Sequence, residues 1–118
     1  MTNLEVDQFI ENLEKKKKTA IRIRGKSANP TKELTFRYSG VAHAPSVEID
    51  HGKQTDYYEF EKAFSKGNLS ELIAKWILFS NKARSASGQF YLVVDKKSEH
   101  RFQKIISEKD LDIEVISI

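Results

Sequence analysis

Residues 89–94, Gln-Phe-Tyr-Leu-Val-Val, form an almost unbroken apolar run. A run of this kind suits a strand covered on both faces. It lies between two helical patterns. Upstream, over about 69–83, Leu69, Leu72, Ile73, Trp76, Ile77 and Ser80 recur on one side, as a helix packed on a sheet requires. Asn68 and Glu71 stand at capping-box spacing ahead of it. Downstream, Ser98 opens a helix with the stripe Phe102, Ile105 and Ile106, and residues 112–118 close the chain as a strand. A β-α-β-α-β series of this kind implies parallel strands joined by right-handed crossovers.

The first half of the chain reads differently. Val6, Phe9, Ile10 and Leu13 recur at helix spacing, with acids early and Lys15–Lys18 at the end, in keeping with a helix dipole. Residues 19–25 and 33–39 each alternate at period 2, and the link between them carries Ser, Asn and Pro. They are expected to form a hairpin with one apolar face and one Arg-bearing face. A strand over 43–50 enters through Pro45. A turn at 51–53 leads to a strand over 56–61, with Tyr58 and Phe60 on one face and Tyr57, Glu59 and Glu61 on the other. The expected order is α-β-β-β-β-α-β-α-β: an α/β fold with a mixed β-sheet flanked by helices on both faces.

The chain has 118 residues, which favours one domain over 1–118. It contains no Cys, so disulfides, thiolate metal sites and cysteine nucleophiles drop out. No apolar run approaches a membrane span and the first residues lack a signal-peptide core, so the expectation is a cytoplasmic protein with no membrane partner. The three histidines show no zinc spacing, and no glycine-rich phosphate loop or nucleophile elbow occurs.

Charge is concentrated. Residues 15–37 carry nine bases and one acid, although the whole chain has a formal charge of only +3. A local basic patch steers polyanions better than a diffuse charge does. Arg22, Arg24, Lys26 and Arg37 are the candidate nucleic-acid contacts. The alternative for this segment is a solvated helix end followed by a solvated sheet face.

The order αβββαβ, with Pro45-Ser46 at the start of one strand and Glu59-Phe60-Glu61 on the next, resembles the core of the PD-(D/E)XK nucleases, the restriction-endonuclease-like superfamily. The resemblance covers about residues 1–95. It implies a restriction-endonuclease-like core, with Glu59 and Glu61 as metal ligands, Glu48 as a further catalytic acid, and Mg²⁺ or Mn²⁺ as cofactor. Mg²⁺ takes hard oxygen ligands, lowers the pKa of a bound water, and works beside a cation that offsets charge. Asp50, or Glu11 and Glu14 of the first helix, are alternative acids. Two departures stand out: the family acid after the proline is Ser46 here, and Glu61 replaces the commoner lysine. Three readings follow. One is a nucleic-acid-binding module with weakened or lost nuclease activity. Another is an active Mg²⁺-dependent endonuclease that needs a homodimer to cut two strands. In the third, an unrelated α/β interaction domain, the carboxylates are ordinary strand-face or ion-pair residues.

Overall fold

The structure is a computed structural model that describes residues 1–16, 20–26, 30–35, 42–64 and 67–118. The elements are α1 (Asn3–Lys16), β1 (Ala20–Ile23), β2 (Leu34–Thr35), β3 (Ala42–His43), β4 (Val47–Asp50), β5 (Thr55–Glu61), α2 (Leu69–Ser85), β6 (Phe90–Val94), α3 (Glu99–Glu108) and β7 (Glu114–Ser117). The expected order is found, with strand 43–50 divided around Pro45 into β3 and β4. Among the described residues no helix is long and apolar enough to cross a membrane.

Five strands form one mixed sheet in the order β1-β4-β5-β6-β7. β4 pairs antiparallel with both β1 and β5, whereas β6 pairs parallel with β5 and with β7. The central strand, β5, is therefore where the sheet changes from antiparallel to parallel. Since β1 and β5 both oppose β4, β1 runs in the same sense as β5, β6 and β7.

The expected hairpin between 19–25 and 33–39 includes residues 19 and 36–39, which lie outside the described residues; its described strands pair with other partners. β1 pairs with β4, Ile21 opposite Ile49 and Ile23 opposite Val47. β2 pairs instead with β3 in a separate two-stranded ribbon. The physical reason is burial. Val47 and Ile49 are fully buried, and Ile21 packs into the same cluster. A β1–β4 ladder places β1 on an existing core, which a free-standing hairpin would lack. Residues 36–40, including the expected strand face of Phe36 and Tyr38, lie outside the described residues.

Each face of the sheet has its own core. On one, Phe9, Ile10 and Leu13 of α1 meet Val47, Ile49, Tyr58 and Val93. On the other, Trp76, Phe79 and Ala83 of α2 and Phe102 and Ile106 of α3 cover Tyr57, Phe90, Leu92 and Val94. β6 is interior as expected, with Leu92, Val93 and Val94 fully buried. Trp76 is fully buried too, while Ile73 lies only at the border of the core.

The entry to β6 is fixed by backbone contact. Gly88 sits so close to β5 that a Cβ there would overlap the Thr55 carbonyl. Asp56, buried, accepts the Gln89 N–H at 2.9 Å, and His51 lies 3.1 Å from its other oxygen.

Candidate functional site

Period-2 alternation in β5 sends Glu59 and Glu61 to the α2 face, beside Tyr57. Both are buried, Glu59 almost completely. A buried carboxylate is costly unless charged and neutral donors surround it, and here they do. Lys75, from α2, lies 2.8 Å from Glu59 Oε2 and 2.9 Å from Glu61 Oε2. The Trp76 indole N–H donates to Glu61 Oε2 at 2.9 Å. The Ser46 backbone N–H donates to Glu59 Oε1 at 2.9 Å, and the Ser46 hydroxyl makes a short hydrogen bond to the same oxygen. Burial alone would lower the pKa of Lys75. The charge and hydrogen bond of Glu59, followed by those of Glu61, outweigh it and hold the ammonium above its ordinary pKa.

Ser46 stands just ahead of β4 and is held against Glu59. Its hydroxyl also accepts from the Phe60 N–H at 3.3 Å and from Arg24 at 3.2 Å. Arg24 donates to the Ala44 carbonyl at 2.8 Å and lies 3.6 Å from Glu59 Oε1, with about half its side chain open to solvent. Ser46 thus shields Glu59, and Arg24 covers Ser46.

Arg22 and Glu48, expected in separate roles, are cross-strand neighbours and form an ion pair. Glu48 is buried and Arg22 only a quarter exposed. The Tyr57 hydroxyl beside them has a raised pKa, first from burial and then from the Glu48 charge. Lys26 is exposed. Arg37 lies outside the described residues. Glu11 and Glu14 are exposed, and Glu11 pairs with Lys15 at 3.5 Å.

Beside Ser46 opens a cleft of about 300 Å³. Val6, Ile10, Ile23 and Phe60 give it an apolar wall; Asp7, Arg24 and Lys26 supply charge. The α1 acid near the site is thus Asp7. The sequence reading missed Lys75 and Asp7. Lys75 sits with Leu72, Trp76 and Phe79 at the spacings that define one helix face, but a charge on such a stripe reads as an interruption. Asp7 is one of several acids early in α1, and nothing in the pattern sets it apart.

The residues present do not fit a resident Mg²⁺ as they stand. The two acids share one ammonium, three of their four oxygens are unavailable or crowded by donors, and among the described residues no group of three or more His, Asp or Glu side chains is placed to hold a metal ion. Comparison of the chain with protein-family models, with curated proteins and with solved structures finds no match.

Proposed function

We propose that this chain is a nucleic-acid-binding module built on a restriction-endonuclease-like core, in which a fixed acid–lysine cluster stands where metal-dependent phosphodiester cleavage would need free carboxylates. The observation that carries the reading is Arg24. Its guanidinium is tethered to the Ala44 carbonyl and the Ser46 hydroxyl, half of the side chain remains open, and Lys26 lines the same cleft. A tethered guanidinium loses little freedom on meeting a phosphate and presents paired donors to it. Arg22 contributes indirectly, by neutralising Glu48 beneath the same face. The rival reading, a Mg²⁺-dependent endonuclease acting as a dimer, draws support from the convergence of Glu59, Glu61 and Lys75 within 2.9 Å.

Titration of labelled duplex and single-stranded oligonucleotides, with and without Mg²⁺ or Mn²⁺, separates the readings. The expected result is salt-sensitive binding. In Arg24→Ala/Lys26→Ala it weakens for every sequence, and the salt slope falls by up to about two charges' worth. Neither metal should cleave the oligonucleotide or stabilise the protein. Metal stabilisation of about 2.7 kcal/mol at a hundred times the dissociation constant, lost in Glu59→Gln, would establish the endonuclease instead. Absence of binding at low salt would leave the interaction-domain reading.

A further inference from the structure

The sheet topology brings a second basic cleft to the same end of the molecule as Arg24. Because β1, β5, β6 and β7 run in one sense, their carboxyl ends lie together. Open α/β sheets bind ligands outside these ends, where the strand order changes direction. Here that end collects Arg24 and Lys26 after β1, Lys62 after β5, and Lys96, Lys97 and Arg101 after β6, all of them exposed apart from the half-open Arg24. The acids there are fewer and some are engaged: Asp95 is paired with the Met1 amine, while Asp7, Glu71 and Glu99 lie in or near the first turns of their helices.

Between the end of β5 and α3 lies a cleft of about 360 Å³. Phe64 and Ile105 form its apolar lining; His100, Arg101 and Lys104 bring positive or protonatable groups, against one acid, Glu108. The Arg101 guanidinium stands 4.7 Å from the Phe64 ring centroid. Behind, Phe64 is braced edge-on against the fully buried Phe102, with centroids 5.1 Å apart. A guanidinium held over a ring that is itself braced from behind presents a planar cation on which a base can stack, with further cations at its rim as phosphate donors.

We infer that the Phe64–Arg101 cleft seats an unpaired base of a single-stranded nucleic acid whose backbone also meets Arg24 and Lys26. The inference rests on the proposed function and adds a second contact and the strand type. The two clefts flank the carboxyl ends of the strands, Arg24 and Lys26 beside α1 on one face of the sheet and Phe64 beside α3 on the other, so a strand that meets both passes over these ends. A duplex keeps its bases stacked on one another and offers no face to the Arg101–Phe64 stack. A flexible acidic polypeptide satisfies the cations but has no base to stack.

The experiment measures anisotropy of labelled oligothymidylate, duplex DNA and polyglutamate with wild type, Phe64→Leu, Arg101→Gln and Arg24→Ala/Lys26→Ala. Leucine preserves the apolar contact with Phe102 and removes the aromatic face, and circular dichroism checks that each variant is folded. Phe64→Leu should weaken oligothymidylate binding about fivefold or more, leaving its salt slope and the duplex affinity unchanged. Arg101→Gln should weaken it and reduce the slope by about one charge's worth. Ultraviolet crosslinking of a thiouridine-bearing strand should label Phe64. If Phe64→Leu binds oligothymidylate like wild type while Arg24→Ala/Lys26→Ala is impaired, the second contact is overturned and the proposed function stands. If polyglutamate binds as tightly as oligothymidylate, base seating is overturned. If wild type binds no nucleic acid, both readings fall.

Discussion

Lys75 is the residue on which two of the four buried carboxylates among the described residues depend. One ammonium serves two carboxylates, and its side chain is only 14% exposed. Removing it strands both acids in the interior. Lys75→Met should therefore cost about 3–5 kcal/mol, the usual penalty for breaking a buried ion pair from one side. Adding Glu59→Gln and Glu61→Gln should recover most of that loss, because the remaining groups are neutral and Ser46 and Trp76 can still donate to the amide oxygens. Urea midpoints at constant slope measure both. A Lys75→Met loss below about 1 kcal/mol would mean that water or another group neutralises the acids. The sequence made Glu59 and Glu61 visible as a pair on one strand face. Their burial was not visible, because the compensating charge is Lys75, fourteen residues beyond Glu61 on a helix, and nothing in a linear pattern links them.

At the level of elements, legibility followed the range of the interactions. β5 and β6 could be read from alternation and from the apolar run, and α2 and α3 from their stripes. All of these patterns are local. The partner of β1 could not be read, because its ladder with β4 closes over a long intervening segment and is selected by the core that Val47 and Ile49 already form. The junction between α2 and β6 was legible only as a loop. Its real constraint is the close approach of Gly88 to the Thr55 carbonyl. Gly88→Ala would force the β5 and β6 entries apart, at a cost of about 1–3 kcal/mol as an overpacking change. Thermal denaturation provides the measurement, and a variant as stable as wild type would show that this loop yields without disturbing the ladder.

Across the whole molecule, the five strands are unequally held. β5 and β6 have hydrogen-bonded neighbours on both sides and cores on both faces, whereas β1 stands at the end of the strand order among the described residues, with a four-residue ladder to β4 and no fully buried residue of its own. Local opening starts where buried contacts are fewest, so β1 can lift away while the rest of the sheet stays closed. When it does, Arg22 leaves Glu48 and Arg24 leaves Ser46. The binding-competent population is then set by the closing of one short edge strand rather than by global stability, and a ligand that needs Arg24 must hold that edge shut. Hydrogen–deuterium exchange with and without oligonucleotide should show slowed exchange concentrated in β1, with β5 and β6 already protected in its absence. Equal slowing across all five strands would mean that the ligand senses global unfolding and that the edge has no opening of its own.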